Sequence, residues 1–171
     1  MLKLLGKIFS IGVVTEAAPV HDPEALDRLG IQVKRSLDRR FSGSLAIRHV
    51  DAGSCNGCEL EIHALNNPYY DIERFGVHFV ASPRHADCLL VTGPVSRNME
   101  AALRRVHAAC PDPKLVIASG DCACNGGEFG VSYASCGAVG NVIPVDVTIP
   151  GCPPSPAQLL AGLLQLLRSM E

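Results

Sequence analysis

From Ser44 onward, short apolar runs alternate with segments of helical periodicity, and this alternation restricts the fold more than any other feature of the sequence. The apolar runs predict strands at residues 45–50, 77–81, 88–92, 114–118 and 142–149. Helical spacing predicts helices at residues 58–65, 99–109 and 156–170. Uninterrupted apolar strands that alternate with helices are typical of a mostly parallel sheet with helices on both faces. We therefore predict an α/β, flavodoxin-like fold.

Four of the eight cysteines stand directly after predicted strands. Cys55 and Cys58 form a CxxC pair after the first strand, Cys122 follows the fourth strand, and Cys152 follows the fifth. In open α/β sheets, binding sites form outside the carboxyl ends of the strands. The sequence therefore predicts that these four thiols, although distant along the chain, meet at one edge of the sheet.

Four thiolates of this kind, one close pair and two single residues, fit the ligand set of one 4Fe-4S cluster. Gly120, Gly151 and Pro153 beside them allow tight turns and close approach of the backbone. We expect a reducing, cytosolic setting, in which cysteines bind metal more often than they form disulfides. A structural zinc site remains the rival interpretation, although such sites usually draw on two close pairs of ligands.

Composition narrows the function classes further. A chain of 171 residues with 47% hydrophobic content has the length of one domain with a substantial core. Its net charge of −2 and its lack of Trp give no reason to expect nucleic acid as a partner. The sequence also contains no apolar run long enough to span a membrane.

One folded domain is expected, a cluster-binding domain over residues 44–171, and an N-terminal arm over residues 1–43 precedes it. Residues 1–14 allow a short amphipathic helix that docks on lipid or on a membrane subunit, or else a frayed tail. Residues 15–43 are interpreted as a polar linker. Its basic side chains either face solvent or contact an acidic partner or lipid headgroups; they are Lys34, Arg35, Arg39 and Arg40.

Three segments carry a resemblance to a known family. They are DAGSCNGCELE at residues 51–61, GDCACNGG at 120–127 and VDVTIPGCPP at 145–154. Together and in this order they resemble the small subunit of the energy-converting (group 4), membrane-associated NiFe hydrogenases. That family is related to the 20 kDa subunit of complex I, whose cluster lies nearest the quinone.

The spacing of the first two cysteines bears on which branch of this superfamily the chain resembles. Complex I subunits carry two adjacent cysteines at this point, whereas this chain has Cys55 and Cys58 separated by two residues. The spacing favours the hydrogenase branch. The alternative is a complex I-like subunit of an NADH/quinone oxidoreductase that carries the cluster next to quinone.

The resemblance implies an electron-transfer subunit of an oxidoreductase, without nickel of its own. Cys55, Cys58, Cys122 and Cys152 would hold the proximal 4Fe-4S cluster, and the NiFe centre would lie on a partner large subunit. Further expected partners are a ferredoxin-like Fe-S subunit and integral membrane subunits. The complex would sit on the cytoplasmic side of the cell membrane, with this chain as a peripheral component that serves hydrogen evolution or oxidation.

The remaining cysteines and acidic residues are weaker candidates for the same site. Cys124 lies close enough to Cys122 to be a substitute ligand, but the family motif places the ligand at Cys122. Cys136 in a glycine-rich loop either faces the cluster or is a small buried residue. We interpret Cys88 and Cys110 as packing residues. Glu61, on the helix after the CxxC pair, is the acidic residue most open to a role at a partner surface.

Overall fold

The computed structural model describes residues 23–170 together with Gly6 and Ser10. Its centre is a five-stranded sheet in the order β2-β1-β3-β4-β5, and every neighbouring pair of strands is parallel. The strands are β1 (Leu45–Asp51), β2 (Val77–Phe79), β3 (Cys88–Thr92), β4 (Leu115–Ser119) and β5 (Val147–Ile149). The helix predicted over residues 1–14 lies outside the described residues, apart from Gly6 and Ser10.

Helices cover both faces of the sheet. They are α1 (Pro23–Arg40), α2 (Gly57–Leu65), α3 (Arg97–Ala109), α4 (Asp121–Asn125) and α5 (Pro156–Ser169). Side chains of α1, α2 and α5 share one core cluster with Ile47 of β1, and Leu103 of α3 shares the other with Val91 of β3. None of the helices in the described part of the chain combines the length and the apolar content that crossing a bilayer requires.

This topology confirms the α/β fold and the mostly parallel sheet predicted from the sequence, and the strand order 2-1-3-4-5 is that of flavodoxin-like proteins. One strand is much shorter than predicted. The sequence predicts extended chain over residues 142–149, but the strand is limited to Val147–Ile149. A single turn of 3-10 helix at Val139–Asn141 precedes it, and Pro144, which has no backbone N–H to donate, separates the two.

The interpretation of residues 15–43 as a linker is corrected by α1. Residues 23–40 form one helix whose Leu26, Val33 and Leu37 are buried in the same core cluster as α5. These positions recur at helical spacing, but the many charged residues between them concealed the pattern in the sequence. An ion pair of 2.6 Å between Arg74 and Asp27 also joins α1 to the chain ahead of β2. The folded unit therefore begins well before residue 44.

The packing of α1 leads to a stability prediction. Leu37 is fully buried, so we expect Leu37→Ala to lower the free energy of unfolding by about 2–5 kcal/mol through lost burial and a residual cavity. Ile31→Ala on the same helix is the matched control, because Ile31 is 44% exposed. Denaturant titration measures both. Equal, small effects of the two substitutions would mean that α1 is not part of the cooperative unit.

Candidate metal centre

The loops after β1, β3, β4 and β5 surround one cavity of about 110 Å³. Its lining includes all four thiols that the sequence singled out, and the other residues around it are Ser54, Gly57, Gly93, Pro94, Asp121, Phe129, Gly151 and Pro153. A single water needs about 10–15 Å³ by the same kind of measure. The cavity is therefore large enough for a group of several atoms.

Two glycines let the backbone approach the sulfur atoms. Gly120 has φ +89°, and a Cβ atom there would lie 2.6 Å from the Sγ atom of Cys58. Gly127 has φ +54°, and its Cβ atom would lie 2.7 Å from the Sγ atom of Cys122. Both distances are too short for any real carbon contact, so a side chain at either position would displace a thiol. Glycine is needed there for space as well as for conformation.

Hydrogen bonds tie the loops after β4 and β5 to each other. Gly120 donates its N–H to Ile149 and Asp121 donates to Gly151, each over 2.8 Å. In return, Gly151 donates to the Oδ1 atom of Asp121 over 2.8 Å. Since Cys122 and Cys152 directly follow these residues, their relative placement is fixed by the pairing. The Cys152–Pro153 peptide bond is cis.

Side chains organise the CxxC loop as well. The Oδ1 atom of Asp51 accepts the N–H groups of Gly53 and Ser54 at 2.8 and 2.7 Å. The hydroxyl of Ser54 accepts the N–H of Asn56 at 3.2 Å and donates to the Oε2 atom of Glu59 at 2.6 Å. The loop that carries Cys55 is thus held from its start at β1 to the first turn of α2.

Glu59 is a buried acid whose role the sequence did not reveal. It is only 8% exposed, and its second carboxylate oxygen accepts a hydrogen bond from the hydroxyl of Thr92 at the end of β3. His49 contacts both residues, with its Nε2 atom 3.0 Å from the Thr92 hydroxyl and 3.5 Å from Glu59. Burial lowers the pKa of His49 more than the Glu59 carboxylate raises it, so the imidazole is neutral near neutral pH.

Two of the thiols facing the cavity, those of Cys58 and Cys122, resist ionisation. Burial raises the pKa of Cys58 to about 12, and the negative charges of Glu59 and of the other three cavity cysteines act in the same direction. The pKa of Cys122 is also raised, first by burial and then by Cys152 and Cys55. Ionisation of Cys58 and Cys122 is therefore favoured by nearby positive charge, which bound iron would provide.

The other four cysteines lie elsewhere. Cys124 is half-buried and its thiol donates to the carbonyl of Ala118 at 3.5 Å, while Cys136 is buried and donates to Glu100 at 3.4 Å. Cys88 lies inside β3, and Cys110 donates to the carbonyl of Ala86. None of these four lines the cavity. The burial of Cys88 and Cys110 agrees with their interpretation as packing residues.

The donor set of the cavity consists of four thiols. Within residues 23–170, no three His, Cys, Asp or Glu side chains are gathered as they would be around a single metal ion. Donors to one zinc ion all lie about 2.0–2.3 Å from the same point, whereas the four ligands of a cube bind four different irons and stand further apart. The four thiols line one cavity, whose size leaves room for a group of several atoms.

An exposed apolar loop adjoins the cavity, and it was not among the features predicted from the sequence. Phe129 lines the cavity and is 64% exposed, while Val131 and Tyr133 follow in the same loop, the latter 98% exposed. Leu60, which comes two residues after Cys58, is exposed too. The alternating apolar residues of the segment FGVSY at 129–133 are the signal that was available in the sequence.

Comparisons with known proteins agree with the resemblance carried by the cysteine motifs. Residues 55–166 match the family model of the NADH ubiquinone oxidoreductase 20 kDa subunit. The chain is 44% identical over 149 residues to formate hydrogenlyase subunit 7 of Escherichia coli, covering 87% of this chain and 58% of that protein. It is 49% identical over 122 residues to the probable membrane-bound hydrogenase subunit mbhJ of Pyrococcus furiosus, covering 71% and 73% of the two chains.

A solved structure shows the same fold. A chain of the membrane-bound sulfane sulfur reductase, an archaeal respiratory membrane complex, superposes with a TM-score of 0.66 at 33% sequence identity. The match covers 85% of this chain and 76% of that one. The E. coli relative is considerably longer, since this chain spans 58% of its length.

The hydrogen bonds of Glu59 give a second prediction. We expect Glu59→Ala to lower the free energy of unfolding by about 1–3 kcal/mol, because it removes the shared acceptor of Ser54 and the fully buried Thr92. Glu61→Ala is the control on the same helix, with an expected change within about 0.5 kcal/mol. Denaturant unfolding of the reduced chain compares the two, and equal effects would contradict the role assigned to Glu59.

The raised pKa of Cys58 predicts an order of alkylation in the reduced, metal-free chain. Because the thiolate is the reactive form, iodoacetamide near neutral pH should label the exposed Cys55 and Cys152 before Cys58. The labelling rate of Cys58 should continue to rise from about pH 9 toward its pKa of about 12. Peptide mass spectrometry measures both. Labelling of Cys58 near neutral pH as fast as that of Cys55 would contradict the expectation.

Proposed function

Because the chain belongs to the family of the NADH ubiquinone oxidoreductase 20 kDa subunit, we propose that it is the electron-transfer subunit of a membrane-associated NiFe hydrogenase. In this proposal, Cys55, Cys58, Cys122 and Cys152 hold one 4Fe-4S cluster, the proximal cluster of the complex. When bound, such a cluster takes up and releases single electrons. The partner large subunit carries the nickel and iron and performs the chemistry on hydrogen.

The observation that carries the proposal is the convergence of these four thiols on one cavity at the carboxyl edge of the sheet. Their loops follow β1, β4 and β5, and hydrogen bonds hold the last two loops together. The sequence contains a single CxxC pair, whereas the nickel site of the resembled family needs two. This supports placing the nickel on another polypeptide.

The chain's own residues have three tasks in this function. The thiolates bind iron, and Phe129 with the surrounding loops forms the wall of the cavity. Burial and the nearby carboxylate of Glu59 set the electrostatic environment of Cys58, and through it the ease of reduction. The exposed apolar residues Phe129, Val131 and Tyr133 provide a surface beside the cavity that a partner subunit would cover.

The names of the relatives support assembly in a membrane complex. The P. furiosus relative is called a membrane-bound hydrogenase subunit, and the structural neighbour belongs to a respiratory membrane complex. We propose that this chain is a peripheral subunit on the cytoplasmic side, between the large subunit, a ferredoxin-like Fe-S subunit and integral membrane subunits. The cluster-binding unit includes α1, and the arm is limited to the residues before it.

Single cysteine-to-serine substitutions test the ligand set. Cys122→Ser and Cys152→Ser should abolish both the EPR signal of the reduced proximal cluster and the hydrogen activity of the purified complex. Cys124→Ser is a close control, because a serine hydroxyl still donates to Ala118 and the residue does not line the cavity. Cys88→Ser is a second control in the core. An unchanged EPR spectrum in the Cys152→Ser complex would contradict the assignment.

Metal analysis of the complex tests the type of cluster and the location of the nickel. Anaerobically purified complex should contain four irons and four acid-labile sulfides at this chain, and nickel in the large subunit that co-purifies with it. One zinc per chain without acid-labile sulfide would contradict the cluster. A co-purifying large subunit that lacks nickel and both CxxC pairs would contradict the hydrogenase assignment and leave the quinone reductase alternative.

A further inference from the structure

A second site lies on the helical face formed by α1 and α5. The two helices lie side by side, since their buried residues share one core cluster and the Arg168 guanidinium of α5 donates to Gln32 of α1. Between them is a groove of about 260 Å³. We call it the cationic groove, and its lining residues are Gln32, Arg35, Ser36, Arg39, Leu164 and Arg168.

Arginines from both ends of the sequence meet in the cationic groove. Arg35 and Arg39 come from α1 and Arg168 from α5, and the Arg168 guanidinium donates to the Oε1 atom of Gln32 at 2.9 Å. Among the described residues, no Asp or Glu lines the groove. The chain as a whole carries a net charge of −2, so this concentration of positive charge is local. It favours an anionic ligand.

Stabilisation of the helix ends does not account for all three arginines. Arg39 and Arg168 lie in the last turns of α1 and α5, where a cation complements the helix dipole. Arg35 lies before the last turn of α1, outside the range of that effect. Its guanidinium adds positive charge to the groove without serving a helix end.

An apolar cleft continues from the cationic groove along the same two helices. It has a volume of about 580 Å³. Its apolar surface comes from Leu29, Ala161 and Leu164, and the lining is completed by Gln32, Gln165, Arg168 and Ser169. Gln32, Leu164 and Arg168 line both spaces, so the two are adjacent. The cationic groove and the cleft beside it match a ligand with a negatively charged head and an apolar tail. A free anion matches them less well, because it would leave the cleft unused.

The cationic groove lies away from the thiol cavity. Arg39 immediately precedes the turn into β1, and Arg168 lies at the end of α5, so both belong to the amino-terminal edge of the sheet. The thiols lie at the carboxyl edge. A surface bound at the groove therefore leaves the thiol cavity accessible to another subunit.

We propose that the cationic groove binds the phosphate group of an anionic phospholipid at the membrane surface. Arg35 and Arg168 contact the phosphate, and an acyl chain lies along the cleft beside Leu29 and Leu164. This chain then contacts the membrane directly, in addition to any contact through membrane subunits. The proposal goes beyond electron transfer and does not depend on the cluster.

Vesicle binding by the full chain tests the proposal. The wild type should bind phosphatidylcholine vesicles that contain phosphatidylglycerol, and bind pure phosphatidylcholine much more weakly. The Arg35→Gln, Arg168→Gln double variant should lower the partition coefficient about 30-fold, at about fivefold for each arginine beside an anionic surface. The control is Arg84→Gln with Arg105→Gln, which changes the net charge equally at exposed arginines outside the groove.

The outcomes distinguish lipid binding at the groove from binding elsewhere on the chain. Residues 1–22 are the same in all variants, so binding through them would leave the two double variants equal and overturn the proposal. Equal binding to both kinds of vesicle would overturn it too. Saturable binding of inorganic phosphate at the groove, without a preference for phosphatidylglycerol vesicles, would identify a free anion as the ligand and reject the lipid. Circular dichroism confirms that each variant is folded, and cluster EPR reports separately on the proposed function.

Discussion

The parallel register of the sheet is the constraint on which the rest of the structure depends. Because β1, β3, β4 and β5 run in the same direction, the loops that follow them end at one edge. Residues separated by most of the chain thereby line a single cavity. The parallel strands bring the loops only roughly together. Hydrogen bonds from Gly120 and Asp121 to the loop after β5 then fix the positions of Cys122 and Cys152 relative to each other.

Electrostatics give this arrangement its chemical character. Burial and mutual repulsion raise the pKa of Cys58 and Cys122, so these thiols are protonated in the metal-free chain, and nearby positive charge favours their ionisation. Glu59 adds a further negative charge beside Cys58 while its two oxygens hold Ser54 and Thr92. The same carboxylate therefore acts on both the position of the CxxC loop and the charge around it.

The two edges of the sheet present different surfaces. The carboxyl edge carries thiols, glycine turns and exposed apolar side chains such as Phe129, which together suit a protein partner. The amino edge carries the cationic groove between α1 and α5, with Arg35 and Arg168. Under the proposed functions of the two sites, electrons pass at one edge and the membrane is contacted at the other, with the rigid sheet setting the distance between them.

The sequence by itself determined the fold class, four of the five strands within about two residues at each end, and the four cysteines that share a cavity. Those features follow from local periodicity and from the rule that the carboxyl ends of parallel strands lie at the same edge of a sheet. Only the tertiary structure decided the rest. The packing of Leu37 turned a predicted linker into a core helix, Pro144 and the turn before it shortened β5, and burial gave Glu59 its hydrogen bonds to Ser54 and Thr92. These outcomes, and the meeting of Arg35 with Arg168, depend on contacts between distant residues, which no local pattern in a sequence records.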